Sequence, residues 1–276
     1  MSEFSLRRMT TILLAHGAGG GIQANYAALI EDLSRDHTVI GLDLPGTGAA
    51  PRRSEPLTVD GLADELVAAG AGHDRFAIVG YSLGSALAIR AAVRHPDRVS
   101  ALVLTAPFAR PTARFTLLVE LWRELLGNPE QLAAFGHLLG AGAPYLDRFT
   151  EPELAASLAA GSFPPGTADH LDLIDRVDVR ADLARITVPT LVISTTHDTM
   201  VTPYHHREVA DGIESAAYAE LASGHLPFVE APDEWIRLIR GFLDDQSRVT
   251  PSETAAAATA SATADATRGS KGDGMM

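Results

Sequence analysis

The chain has 276 residues, 46% of them hydrophobic, which is enough to bury a large core within a single α/β domain. Its formal net charge of −13 disfavours nucleic acid or an anionic membrane as a partner, and says little about a small-molecule substrate, the partner expected on other grounds. The absence of cysteine excludes a disulfide framework, a cysteine-ligated metal and a cysteine nucleophile, and it fits a cytoplasmic protein.

The N-terminal stretch MSEFSLRRMTTILLAHGAGG offers only the short apolar run ILLA, too brief for a secretory leader, and no later run approaches a membrane span. A first strand is expected at Thr10–Ala15, then the turn His16-Gly17-Ala18-Gly19-Gly20-Gly21, then a helix over Tyr26–Ser34. A second strand, Thr38–Asp43, runs into Asp43-Leu44-Pro45-Gly46-Thr47-Gly48. The next helix, Val59–Ala69, has Thr58 as its N-cap and an apolar stripe of Val59, Leu62, Ala63, Leu66 and Val67. Strand Phe76–Gly80, helix Ser85–Arg94 and strand Val99–Thr105 follow. After a long interruption come strand Thr190–Ser194, helix Tyr204–Asp211, strand Ala216–Leu221 and helix Glu234–Leu243.

Most of these strands are continuously apolar, as parallel strands covered on both faces must be. The βαβα rhythm predicts a doubly wound, mostly parallel sheet. The stretch between Val103 and Thr190 is too long for an ordinary connection and carries helical patterns at Phe115–Leu126, Glu130–Leu139, Glu153–Ala159 and Ala168–Val177. We expect an α/β core over residues 1–106 and 187–246, a helical lid over 107–186, and a low-complexity Ala/Thr/Ser/Gly tail over 247–276 that is disordered.

The segment Gly80-Tyr81-Ser82-Leu83-Gly84 matches G-x-S-x-G between an apolar strand and a helical run. That context puts Ser82 on a sharp strand-to-helix turn, with the Leu83 N–H at a helix N-terminus, aimed at developing negative charge. A serine hydroxyl needs a base to accept its proton. His225, in the loop after the last strand, is the candidate, and Asp198, after the strand before it, is the matching carboxylate. His73, His95 and His170 lie in polar sequence and are read as surface residues; His205 and His206 start a helix away from any strand end. Asp172, Asp175 and Asp182 are weaker competitors for the acid. The Gly-rich turn after the first strand supplies a second oxyanion donor, assigned to the Ala18 N–H with Gly17 as the neighbouring alternative. A dinucleotide fingerprint is the rival for that turn. It lacks its last glycine at Ile22 and leaves Ser82, Asp198 and His225 unexplained.

With these motifs in place, residues 10–245 resemble the α/β-hydrolase superfamily: the HGAGGG turn, the Asp43–Gly48 turn, the GYSLG elbow, the Asp198 loop ending in Val201-Thr202-Pro203, and SGHLPFVEAPDEW. The resemblance implies a Ser82–His225–Asp198 triad, no cofactor and no metal. Two departures stand out: Ala49 and Ala50 replace a frequent serine, and Thr195 and Thr196 replace a frequent glycine before the acid. Neither is expected to touch a catalytic atom. Few residues precede Thr10, so the antiparallel edge hairpin of larger members is expected to be missing, leaving about six strands.

The function implied is hydrolysis of a carboxylic ester or thioester through an acyl-enzyme on Ser82. A lyase or cyclase using the same triad is one alternative, and a non-catalytic small-molecule binder is another. In the lid, Phe108, Phe115, Leu118, Trp122, Phe135, Leu138 and Leu139 recur at helical spacing. Most pack internally, while Phe115, Trp122 and Phe135, with Tyr81 beside the nucleophile, are candidates for an apolar pocket. His137 is read as a satisfied or exposed histidine, and Arg110 and Arg114 as solvated surface residues. The alanine- and arginine-rich, lysine-poor composition suggests a bacterial source.

Overall fold

Six runs of apolar and β-branched residues become strands: β1 (Thr11–Ala15), β2 (Thr38–Leu42), β3 (Phe76–Tyr81), β4 (Val99–Thr105), β5 (Thr190–Thr195) and β6 (Ala216–Leu221). A computed structural model describes residues 9–161 and 163–248; the tail expected to be disordered falls almost wholly outside them. The strands form one sheet in the order β2-β1-β3-β4-β5-β6, and every pairing is parallel. The expectation of a mostly parallel sheet thus sharpens to a wholly parallel one among the described residues.

Alternate residues of each central strand feed two cores. Leu13, Ile78, Leu102 and Leu104 pack on one face, and Ile12, Leu14, Val79 and Val103 on the other. The first core is covered by α2 (Val59–Ala69), α3 (Leu83–Arg94) and α10 (Pro203–Gly212), and the second by α1 (Ile22–Leu33) and α12 (Pro232–Arg248). Thr58 caps α2, its side chain accepting from the Gly61 N–H at 3.1 Å. Trp235, Ile239 and Leu243, spaced four apart on α12, are buried against the sheet.

Helix α1 starts at Ile22, four residues before the expected Tyr26. The reason lies in Asp43, whose Oδ1 accepts the Ile22 N–H at 2.8 Å. A carboxylate at a helix N-terminus satisfies one of its orphan donors and complements the dipole. Periodicity alone does not reveal a cap from a residue so distant in sequence. The same contact gives Asp43 a structural role in place of ribose binding.

Between β4 and β5 lie α4 (Ala113–Leu125), α5 (Pro129–Gly140), α6 (Ala143–Leu146), α7 (Glu151–Ala160), α8 (Thr167–Ile174) and α9 (Arg180–Leu183). Four correspond to the expected helices; α6 and α9, at four residues each, are too short for a periodic pattern to mark. Leu138, counted with the packed residues, is 69% exposed instead. A further short helix, α11 (Pro227–Glu230), follows the His225 loop. No helix among the described residues is long and apolar enough to cross a membrane.

The strand order reverses at β1: the chain moves outward to β2, then returns to β3 on the other side. In open parallel sheets the crevice beyond the strand C-termini at such a reversal is where ligands bind. The β1 and β3 ends that flank it carry the His16–Gly21 turn and Ser82.

Candidate active site

Ser82 occupies the turn between β3 and α3 at φ +51°, ψ −118°. A non-glycine residue there carries strain of about 1–3 kcal/mol, sustained only when its surroundings fix it. Here the Ser82 N–H donates to Thr105 O at 3.0 Å, its carbonyl accepts from Ser85 N at 2.9 Å, and Ser85 Oγ donates to Gly80 O at 3.0 Å. Glycine is needed on both sides. A Cβ on Gly80 would lie 2.8 Å from Ser85 Cα, and one on Gly84 would run into the Ala15 carbonyl. Ala106, at the end of β4, is the other described non-glycine residue at positive φ, and nothing in its sequence marks it.

The structure brings Ser82, His225 and Asp198 together from three strand ends. His225 Nδ1 lies 2.6 Å from Asp198 Oδ2, and Nε2 lies 3.0 Å from Ser82 Oγ. A carboxylate only accepts, so Nδ1 carries the proton and Nε2 is free to accept from the serine hydroxyl. All three residues are at least nine-tenths buried. Asp198 Oδ1 accepts the N–H groups of Met200 and Val201, each at 2.9 Å, and Oδ2 also accepts from Thr195 Oγ1 at 2.9 Å. The departure at Thr195 therefore does touch the candidate acid, contrary to expectation: its hydroxyl adds a donor that a glycine would lack.

Leu83 is the first residue of α3, so its N–H belongs to the first turn, whose donors have no partner within the helix. Ala18 and Gly17 line the same cavity as Ser82. A Cβ on Gly17 would sit 2.7 Å from the Tyr81 ring and 3.3 Å from Ser82 Cβ, so the turn presses directly against the elbow. His16 anchors it from beneath, with Nδ1 2.8 Å from Gly17 O and Nε2 accepting the Leu44 N–H at 2.9 Å. Burial lowers the His16 pKa to about 4, so the ring stays neutral.

A cavity of about 210 Å³ opens beside Ser82. Tyr81, Phe115, Trp122 and Phe135, the four pocket candidates, all lie on its wall, joined by Phe163 and Met200. Tyr81 does more than pack. Its hydroxyl donates to the His225 carbonyl at 2.7 Å, and burial raises its pKa well above the usual phenol value. His137 also lines the cavity, with Nδ1 2.9 Å from Ala133 O and Nε2 2.7 Å from Ser157 Oγ.

Several readings are corrected. His170 is fully buried, not on the surface: its Nδ1 accepts the Gly19 N–H at 3.2 Å and its Nε2 lies 3.1 Å from Pro45 O, tying α8 to two loops of the core. Arg114 donates to the carbonyls of Thr199 and Met200, linking α4 to the Asp198 loop. His206, dismissed as lying away from a strand end, is buried with Nε2 3.8 Å from Asp198 Oδ2 and Nδ1 3.0 Å from Ser194 Oγ; burial lowers its pKa to about 4. Asp172 and Asp175 pair with Arg123, and Asp182 with Arg90, which removes them as acids for His225.

Two contributors carried no signal in the sequence. Glu230 Oε2 accepts the N–H groups of Gly224 at 2.8 Å and Gly142 at 3.1 Å, so one carboxylate joins the His225 loop to the helical segment. Asn25, on the first turns of α1, lines the cavity. Among the described residues no group of three His, Cys, Asp or Glu side chains is arranged to hold a metal ion.

A family model described as alpha/beta hydrolase fold matches residues 10–232. The chain is 33% identical over 243 residues to a pyrrolizixenacetamide deacetylase of Xenorhabdus hominickii, covering 84% of this chain and 90% of that protein. It is 31% identical to a pimeloyl-[acyl-carrier protein] methyl ester esterase of Neisseria meningitidis, covering 84% of this chain and 93% of the relative. Among solved structures it resembles the enol-lactonase of Burkholderia xenovorans LB400, with a TM-score of 0.75 and 27% identity over 86% of this chain and 92% of that one.

Proposed function

The chain belongs to the alpha/beta hydrolase fold family, and on that premise we propose that it is a serine hydrolase that cleaves a carboxylic ester or thioester of a small to medium, largely apolar substrate. The observation that carries this reading is the buried hydrogen-bonded relay from Asp198 through His225 to Ser82 beside an apolar cavity. The three relatives named above act on a methyl ester, an acetamide and an enol-lactone, and each of those substrates presents an acyl carbon to be attacked.

Ser82 Oγ attacks the substrate carbonyl carbon as its proton passes to His225 Nε2. The carbonyl oxygen becomes an oxyanion between the N–H groups of Leu83 and Ala18, where preorganised donors stabilise developing charge. Asp198 stabilises the imidazolium and holds its orientation. The proton on Nε2 then goes to the departing alcohol or thiol as the C–O or C–S bond breaks. Water, deprotonated by His225, attacks the acyl-enzyme and releases the carboxylic acid with Ser82 restored. In this reading residues 107–186 act as the lid: their aromatic side chains exclude bulk water and provide apolar contact for the substrate.

The test is a fluorophosphonate probe read by intact mass, together with p-nitrophenyl butyrate turnover, on wild type and Ser82→Ala. One adduct on wild type, none on the variant, and a loss of turnover of about 10³-fold or more are expected. Full turnover by Ser82→Ala would overturn the acyl-enzyme reading and favour elimination with His225 as the base.

A further inference from the structure

A second hollow of about 330 Å³ adjoins the cavity beside Ser82, with Leu126, Leu132, Pro164 and Pro165 on its wall. The polar side chain there, Thr167, donates its hydroxyl to Pro164 O at 2.7 Å, so the described side chains offer the hollow apolar contact alone. Among the described residues, Gly161 and Phe163 are the two that line both spaces, and Gly161 has no side chain. The Phe163 ring is therefore the one described side chain that borders the catalytic cavity and the hollow together.

The chain behind that ring is firmly tied. Phe163 precedes Pro164, which confines its backbone to extended conformations. Pro164 O also accepts the Thr167 N–H at 3.0 Å, at the start of α8, and the Gly166 N–H donates to Gly46 O at 3.1 Å in a loop of the core. In front, the ring meets Trp122 edge-on, with centroids 5.9 Å apart. A Cβ on Gly19 would lie 3.5 Å from Phe163 Cδ1, and one on Gly136 would lie 3.4 Å from its Cζ. The ring thus fills the space between the Gly-rich turn and α5, at two residues that themselves carry no side chain. Phe163 is only half-buried, so it stands as a wall and not as part of the core.

We propose that Phe163 is the residue that sets acyl length: its ring ends the cavity beside Ser82, and the hollow beyond it is room that the ring withholds from a longer chain. This rests on the reading of Ser82 as the nucleophile and narrows its substrate class to acyl groups short enough to stop at the ring. A chain that reaches Phe163 has to push the ring off Trp122 or fold back on itself. In an apolar pocket a single methylene too many changes kcat/KM by about tenfold or more. With the ring removed, further methylenes would find apolar surface to bury against instead of a wall.

The experiment reads kcat/KM for p-nitrophenyl esters from acetate to decanoate with wild type, Phe163→Ala and the double variant Phe163→Ala/Ala168→Phe. Ala168 lines the hollow from α8, so a ring there would refill the room that the first substitution opens. Wild type is expected to lose about tenfold or more over one or two added methylenes. Phe163→Ala should move that drop to chains longer by about two carbons or more, and the double variant should move it back. A general loosening of the helical segment would not be reversed at position 168. No drop in wild type, a drop that stays in place in Phe163→Ala, or a shift that survives Ala168→Phe each overturns the proposal. If an alanine variant fails to fold, Phe163→Leu and Phe163→Trp decide instead, with the drop expected at longer and at shorter chains respectively; no movement in either overturns it. Fluorophosphonate labelling of the same samples separates the two failures. An unlabelled wild type sinks the hydrolase reading itself, whereas a labelled one whose length profile ignores residue 163 sinks only the role of the ring.

Discussion

On the sheet side of the cavity Asp198 accepts four hydrogen bonds, from Met200, Val201, Thr195 and His225, whereas on the helical side Trp122 Nε1 has no hydrogen-bond partner among the described residues. The contrast extends to the backbone. The elbow holds Ser82 at positive φ between two glycines that admit no Cβ, while Gly136 on α5 would place a Cβ at an ordinary 3.4 Å from Phe163. The sheet edge is over-determined, and the facing helices are packed but still adjustable. Chemistry that must hold three groups to within tenths of an ångström needs the first kind of wall. Accommodation of a substrate is served by the second. The test of this contrast is whether small changes on the sheet side cost far more than comparable ones opposite.

The largest effect is expected at Asp198→Asn. The Asn Oδ1 can still accept from Met200 and Val201, but its NH₂ then faces His225 Nδ1 where a carboxylate oxygen stood. The imidazole must turn or switch tautomer, placing N–H towards Ser82 and removing the base. A loss in kcat on the order of 10³–10⁴ is expected with the fold retained. Single-turnover kinetics with p-nitrophenyl butyrate and a melting curve together check it; full activity would mean that Asp198 does not orient His225.

Gly84→Ala comes next. Its Cβ would meet the Ala15 carbonyl, a backbone atom that cannot rotate away, so α3 has to lift from β1. Overpacking against backbone belongs at or beyond the upper end of the usual range, about 3 kcal/mol or more. For a chain of this size that is a drop in Tm of more than about 5 °C. A variant melting within a degree of wild type would show that the elbow is softer than its geometry implies.

These two positions also show why so much of the sheet side was legible in the sequence. Ser82 sits in a five-residue motif between a strand and a helix, and Asp198 and His225 follow the ends of β5 and β6 in the order the fold demands. Each is fixed by local chain geometry, which leaves a local signature. The missed features are made by atoms distant in sequence. Asp43 starts α1 from 21 residues away, His170 reaches Gly19 across 151, and Glu230 joins Gly142 to Gly224. No window of sequence contains both partners of such contacts, so His170 reads as a surface histidine until the fold is known. The role of Thr195 is hidden for a subtler reason. It departs from the family pattern, and only the structure shows its hydroxyl turned back onto Asp198.

Acid is expected to weaken the sheet side through its buried, neutral histidines. His16 is buried and neutral with a pKa near 4, against 6.5 for the free residue, because burial disfavours its charged form. Between those values the unfolded chain binds the proton and the folded one does not, so stability falls as pH drops from about 6.5 towards 4 and is fully present above that window. The ceiling is roughly 3 kcal/mol for this one residue. Protonation would also put a hydrogen on Nε2, where the Leu44 N–H donates. Urea midpoints at pH 7 and pH 4.5, for wild type and His16→Gln, should show a smaller pH-dependent loss in the variant. Equal losses would assign the acid sensitivity to other groups, His206 first among them.

The smallest expected effect bears most directly on the contrast between the two walls. Gly136 lies inside α5, away from its caps, and lines the cavity. Replacing a helical glycine by alanine reduces the freedom of the unfolded chain and favours helix by about 0.5–1 kcal/mol. The new methyl meets only the Phe163 ring, at ordinary contact distance. Gly136→Ala should therefore raise the melting temperature by roughly 1–4 °C. The same methyl projects towards the substrate side, so kcat/KM should fall for longer acyl chains while that for acetate esters holds. The identical change, glycine to alanine, would then destabilise at position 84 and stabilise at 136. A loss of stability at 136 comparable with that at 84 would mean that the helical wall is as tightly determined as the sheet edge, and that its open geometry gives the substrate no latitude.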